Sequence, residues 1–183
     1  DGCAAAIDTG AGMPVAGHFD SATTGNPVRD AWLGAANTAG LAAARMAAAG
    51  VARNTGTAAL SLGSLLGEFD PGGLTAELGT RWDITAGYFK RHASCSFTHP
   101  AADAMLELAD GRTVADVRVE THALGAGLSR TDWDNRLSAM FSTPFVVAAI
   151  ALDGAVEPRT YADGRPADPR LRDLARHVTV VAA

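Results

Sequence analysis

The 183-residue sequence is poor in cysteine, in aromatic residues and in positive charge. Its two cysteines, Cys3 and Cys95, are too few for a disulfide framework and too far apart for a zinc site. A formal net charge of −5 leaves no basic stripe to meet nucleic-acid phosphates. No apolar run reaches the about 18 residues of a membrane-spanning helix. We therefore expect neither nucleic acid nor membrane as a partner, and reduced thiols indicate a cytoplasmic protein.

Alanine and glycine are abundant, which favours closely packed helices. Asn26-Pro27 is a strong helix start, with Asn as the cap and Pro in the first turn. The helix should run to about Ala49. Gly34 and Gly40 each cost about 1 kcal/mol relative to Ala, so their presence predicts that another backbone packs close. The predicted buried side comprises Val28, Ala31, Ala35, Ala39, Ala42, Ala43 and Met46.

The remaining segments of the first half are shorter. A second helix is predicted over 57–67, and Trp82-Asp-Ile-Thr-Ala-Gly-Tyr-Phe89 carries β-branched and aromatic residues typical of an extended segment. The residue composition of the chain changes at this segment. We place a domain boundary near residue 84, with a partial all-helical domain over 1–84 and a second domain over 85–183.

The second half mixes helices with strands. Apolar and polar residues alternate over 115–123, which predicts a strand with one wet face that includes His122. Helices are predicted to start at Pro144 and Pro169, and Thr179–Ala182 reads as a second strand. Asp110-Gly111 and Asp163-Gly164 are turn signals. The fold class is therefore α+β, an all-α helical part followed by a smaller α+β domain.

The stretch Tyr88–Leu108 contains a candidate anion-binding turn and a candidate proton-transfer residue. Pro100 suits the first turn of a helix with Ala101, Ala104, Met105 and Leu108 on its buried face. That turn offers free N–H groups and a positive dipole end to a carboxylate or phosphate. The dipole also disfavours protonation of His99, which could then act as a base, while Lys90 adds a positive charge. The alternative is an ordinary helix cap with a lysine nearby.

Lys90 through Asp103, containing Cys95-x-x-x-His99-Pro-x-x-Asp103-Ala, resembles a signature of the MmgE/PrpD family. Gly34-Ala-Ala-x-x-x-Gly40 before Ala-Ala-Arg-Met-Ala-Ala-Ala-Gly50, Phe69-Asp-Pro before Leu78-Gly79, and Arg136-Leu-Ser138 add to the resemblance. Together they cover essentially the whole chain. The family includes 2-methylcitrate dehydratase and cis-aconitate decarboxylase, which act on small polycarboxylates without a metal.

The resemblance implies an all-α domain followed by an α+β lid, and a homodimer with its active site between the two domains. It implies a lyase without cofactor that removes a proton alpha to a carboxylate, with Lys90 and His99 catalytic. Lys90, Cys95 and Arg29 would bind the substrate. Family members are longer, so we expect an internal piece of a larger protein that is catalytically incompetent alone.

Two departures from the family affect the predicted site. Arg29 and Trp32 stand where the family's Lys-x-x-His-x-Gly motif has its lysine and histidine. Arginine still binds a carboxylate but does not release a proton near neutral pH, and Trp32 changes the pocket. A decarboxylase, an epimerase or isomerase, and a non-catalytic helical interaction module remain open alternatives.

Overall fold

The computed structural model describes residues 1–109, 112–162 and 164–183. The predicted turns at 110–111 and 163–164 depend on residues outside these ranges. The described chain forms two compact units, Asp1–Gly17 with Val28–Tyr88, and His18–Pro27 with Phe89–Ala183. Helices dominate and one two-stranded sheet is present, which confirms the α+β class. The boundary near residue 84 concerns the domains of the whole protein and stays a prediction.

The first unit is built from helices and turns, with no β-strand among its described residues. The long helix predicted after Asn26-Pro27 is present. The predicted helix over 57–67 divides into a short α-helix and a π-helical turn, Ser61–Leu65. The extended segment predicted over Trp82–Phe89 is wrong, because a 3₁₀ turn, Asp83–Ala86, occupies it; β-branched and aromatic residues form a strand only where a partner strand exists. The helices are α1 (Gly2–Ala11), α3 (Val28–Ala48) and α4 (Thr57–Leu60).

Asp8 holds the first unit together from the middle of α1. Its Oδ2 accepts the Thr55 N–H at 2.8 Å and its Oδ1 accepts the Ala58 N–H at 2.7 Å. These two hydrogen bonds satisfy backbone donors at the start of α4. They also lower the pKa of the Asp8 carboxyl, with the Ala58 bond as the largest cause.

The predicted buried side of α3 is wrong for this chain, since Ala43 is its one buried residue. Helix α1 covers a narrow strip of α3, where the Ala43 side chain lies 3.6 Å from the Cβ position of Gly10. Leu33 remains 75% exposed. Gly34 and Gly40 have open space around them, so the predicted close backbone is absent among the described residues.

The second unit contains the sheet and the main core. Strands β1 (Val117–Thr121) and β2 (Val178–Ala182) pair in parallel, with Val117 opposite Val178 and Thr121 opposite Ala182. The alternating burial of β1 confirms the predicted strand, and both strands lie where the sequence predicted them. The helices are α2 (Asp20–Thr23), α5 (His99–Leu108), α6 (Ala123–Ala126), α7 (Arg136–Met140), α8 (Thr143–Asp153) and α9 (Pro169–Arg176).

Helix α8 forms the centre of this core, buried on every side from Thr143 to Ile150. Ser142 caps it, because its hydroxyl accepts the Phe145 N–H at 3.0 Å and donates to the Arg130 carbonyl at 2.6 Å. Gly154, with φ +71°, ends it. The predicted helix starts at Pro144 and Pro169 are confirmed.

Helix α5 packs on α8, but with a face rotated from the predicted one. Ala102 and Met105 are buried, whereas Ala104 and Leu108 are exposed. The face of α5 that packs against α8 is therefore the neighbouring face, which includes Ala102 and Met105. None of the described helices is long and apolar enough to cross a membrane.

We predict that Gly34→Ala stabilises this chain by about 0.5–1 kcal/mol. The added methyl group meets open space and restricts the unfolded chain. Urea unfolding measures the change. Gly154→Ala is the control, and it should destabilise because the backbone there is left-handed. A destabilised Gly34→Ala chain would contradict the open environment described here.

We predict that Asp8→Ala lowers the melting temperature by several degrees, because two part-buried hydrogen bonds to backbone N–H groups at the start of α4 lose their acceptor. Asp70→Ala is the matched control; it removes one 2.9 Å bond to the Gly72 N–H in an exposed turn. The Asp8 contribution is present above its unfolded pKa and is lost as pH falls through the lower folded value. Calorimetry between pH 7 and about pH 3 should therefore show the melting temperatures of the unaltered and Asp8→Ala chains converging in acid. A constant difference between those two temperatures would refute the role given to Asp8.

Candidate functional site

The candidate site lies in the second unit, on the segment Lys90–Cys95 and the start of α5. Backbone hydrogen bonds anchor this segment to the core: the Ala93 N–H donates to the Val156 carbonyl at 3.0 Å, and the Cys95 N–H donates to the Met140 carbonyl at 2.9 Å. The segment is thus fixed on both sides of Ser94. Its side chains are presented by packed structure rather than by a free loop.

A buried hydroxyl pair reinforces the turn into α5. Ser94 Oγ and Thr98 Oγ1 lie 2.7 Å apart, and the Thr98 hydroxyl donates to the Cys95 carbonyl at 2.8 Å. Thr98 is the N-cap residue of α5, but its side chain makes no capping bond to the helix. A 3₁₀ turn, Ser96–Thr98, precedes the helix and sets its direction.

His99 is the first residue of α5 and is half-buried. Its Nε2 atom is shielded from solvent and has no hydrogen-bond partner among the described residues. Its ring meets the ring of His92 edge to face, with centroids 5.2 Å apart and planes at 84°. An imidazole nitrogen with no partner is therefore held beside a second imidazole.

The surroundings of His99 favour the neutral ring. Burial lowers the pKa of His99, and the positive charges of His92 and Lys90 lower it further, against an opposing effect of nearby backbone carbonyls. The lowering of the His99 pKa is in the direction expected from the helix dipole. The physical cause is burial first and neighbouring cations second.

His92 is the site residue that the sequence reasoning missed. It is 4% exposed, and its Nε2 lies 3.0 Å from Asp103 Oδ1, the oxygen that also accepts a 2.8 Å hydrogen bond from Arg91. These contacts lower the pKa of the Asp103 carboxyl, with the His92 bond as the largest cause. The signal in the sequence was weak: His92 lies between Lys90 and His99, but no local spacing shows that it contacts Asp103, which is 11 residues further along the chain.

Lys90 is exposed and its Nζ donates to the Ser94 carbonyl at 3.1 Å. Within the second unit, no described carboxylate lies within ion-pair distance of it. Lys90 is also the sole lysine in the sequence. Its positive charge is one of the smaller causes that lower the pKa of His99, after burial and His92. Lys90 therefore acts on His99 electrostatically, whereas a ring contact joins His99 to His92.

The other two predicted contacts lie in different surroundings. Cys95 is buried in an apolar cluster with Ala22, Leu128 and Phe141. Arg29 belongs to the first unit, in the first turn of α3, where its side chain lies 3.5 Å from Asp30. Whether either residue contacts a substrate stays a prediction.

Trp32, predicted to change a pocket, covers Gly17 within the first unit. A Cβ atom at Gly17 would lie 2.0 Å from the indole ring, so any side chain at this position would force Trp32 to move. His122 is exposed as predicted; its Nδ1 accepts the Gly125 N–H at 3.3 Å and its ring packs against Phe97. Among the described residues, no three His, Cys, Asp or Glu side chains are grouped to hold a metal ion.

The fold and the site together define an α+β protein with an imidazole pair, a carboxylate and a lone lysine at a helix start. The sequence profile of the MmgE/PrpD C-terminal domain matches residues 92–183. No curated protein matches the chain. The chain belongs to the MmgE/PrpD family, which includes dehydratases.

We predict that a thiol reagent labels Cys3 rapidly and leaves Cys95 unreacted until the chain unfolds, because Cys3 is exposed and Cys95 is buried. Mass spectrometry of the labelled peptides measures this. A Cys3→Ser chain serves as the control and should show no rapid labelling. Rapid labelling of Cys95 in the folded control would contradict its burial.

Proposed function

We propose that this chain supplies the acid-binding and proton-abstracting groups of a lyase that dehydrates a small di- or tricarboxylate such as 2-methylcitrate. Membership of a family that includes dehydratases supports the reaction class. A cytoplasmic homodimer that needs no cofactor is part of the same proposal, on the strength of the family resemblance.

The observation that carries the proposal is the unpaired Nε2 atom of His99. Buried polar atoms are almost always hydrogen-bonded, and an exception calls for a role. Burial and neighbouring cations favour the neutral ring. A neutral imidazole near pH 7 is the form that can accept a proton from carbon.

Lys90 supports the binding of an acidic substrate. It carries a charge with no carboxylate partner in its own unit, and its carbonyl contact uses one of three ammonium donors. Every other basic residue of the Lys and Arg set is arginine. A lysine can release a proton where arginine cannot, so a single lysine at the site is consistent with both carboxylate binding and proton transfer.

The proposed reaction is a proton abstraction followed by loss of water. His99 takes the proton alpha to a carboxylate, and the Lys90 ammonium stabilises the enolate-like charge that develops. The C–H electron pair then forms the carbon–carbon double bond as the C–O bond breaks. The departing oxygen takes up the proton held by His99 and leaves as water, which returns the imidazole to its neutral form. Arg29 and Cys95 are proposed as further substrate contacts from the family resemblance alone.

We predict that His99→Ala lowers kcat of the complete gene product about 10²–10⁴-fold, since a positioned general base contributes that much. Lys90→Ala should lower kcat/KM about 10–100-fold through loss of a charge-assisted hydrogen bond. Alkene formation from di- and tricarboxylates measures both. His18→Ala is the control, because His18 lies on an exposed surface and pairs with Asp20.

Lys90→Arg separates the two roles of the lysine. Recovered kcat/KM would show that Lys90 binds a carboxylate, and continued loss would show that it transfers a proton. Wild-type turnover in both alanine variants would refute the site. Racemised substrate without alkene would indicate an epimerase, and no binding of citrate-like anions in calorimetry would indicate a non-catalytic module.

A further inference from the structure

The second unit places two imidazole rings beside a single carboxylate. His92 and His99 meet edge to face at 5.2 Å, and Asp103 contacts His92. No carboxylate among the described residues contacts His99. The two rings are therefore not equivalent, although they belong to the same cluster.

Asp103 fixes the state of His92. An ionised carboxylate only accepts hydrogen bonds, so the His92 Nε2 at 3.0 Å must carry the hydrogen. The His92 carbonyl also accepts the Ser94 N–H at 2.8 Å, which holds the backbone at that position. The ring of His92 thus has a fixed tautomer and a counter-ion for a second proton.

His99 has less support for a positive charge, because no carboxylate in the described part of the chain contacts it and nearby backbone carbonyls only partly oppose the lowering of its pKa. Its Nε2 has no acceptor, and a protonated His92 would place a like charge in ring contact with it. The lowered pKa of His99, caused first by burial and then by His92, points in the same direction.

The other charged groups around the pair leave this asymmetry in place. Lys90 adds positive charge, and Arg91 shares the Asp103 oxygen. Helix α8, packed against α5, has one charged residue, Asp153, which pairs with Arg165 at 2.6 Å. After α8, Glu157 pairs with Arg159 at 2.7 Å. Helix α6 is preceded by His122, whose ring faces Phe97.

We propose that His92, held by Asp103, is a positioning residue for His99: its ring contact orients the imidazole of His99 and keeps that imidazole in its neutral form. This inference rests on the proposed function only because it takes His99 to be the base. The base then stays usable in mildly acidic conditions, where an isolated histidine would already be charged.

The test is a pH titration of the five histidines of this chain by NMR, with each ring assigned by substitution. In the unaltered chain, the midpoint of His99 should lie below that of a free histidine. His92→Gln should raise the midpoint of His99, because the neighbouring positive charge is gone. His177→Gln is the matched control: it breaks an Asp116–His177 contact of 3.1 Å at the exposed surface and should leave His99 unchanged.

Asp103→Asn keeps an acceptor for His92 and so preserves its position, and the midpoint of His99 should stay below that of a free histidine. The inference is overturned if the His99 midpoint reaches that of a free histidine in the unaltered chain, or if it does not move in a folded His92→Gln chain. A His99 midpoint that reaches the free value in Asp103→Asn also overturns it, and covers the case in which His92→Gln does not fold.

Activity measurements distinguish a failure of this inference from a failure of the proposed function. In the complete gene product, His92→Gln should move the acid limb of the kcat/KM profile to higher pH, whereas a merely structural role would lower activity equally at every pH. A gene product with no activity refutes the proposed function, and the NMR midpoints still decide the role of His92.

Discussion

The burial of helix α8 is the constraint on which the second unit depends. A helix that is apolar on every side cannot face water, so other elements must cover it on all sides. Helices α5 and α9 and strand β2 do so. The start of α5, with His99, is therefore placed by packing against α8. The site is as fixed as the core beneath it.

The segment before α5 depends on the same core through its backbone. Its hydrogen bonds to Met140 and Val156 use carbonyls at the end of α7 and just beyond α8. A buried backbone donor is costly to leave unpaired, so these contacts hold the segment in one position. The consequence is chemical, because His92 and Lys90 lie on this segment and their distances to α5 are set by it.

Much of the second unit could be predicted from the sequence, and little of the first. The alternation over β1 and the prolines at the starts of α5, α8 and α9 are local signals, and the structure follows them. In α3 the local signal was misleading, because helix periodicity marks an apolar side without showing what covers it. The extended conformation predicted for Trp82–Phe89 was wrong for a related reason, since a strand needs a partner strand that local sequence does not supply.

The sequence by itself determined the helix start at Pro100, the lone lysine, and a histidine placed where the dipole opposes its protonation. These follow from residue type and spacing within about a dozen positions. Only the tertiary structure decided that His92 lies between Asp103 and His99, and that Nε2 of His99 is buried without a partner. The physical reason is that burial and ring contact depend on how a segment packs against distant elements, which local spacing does not encode.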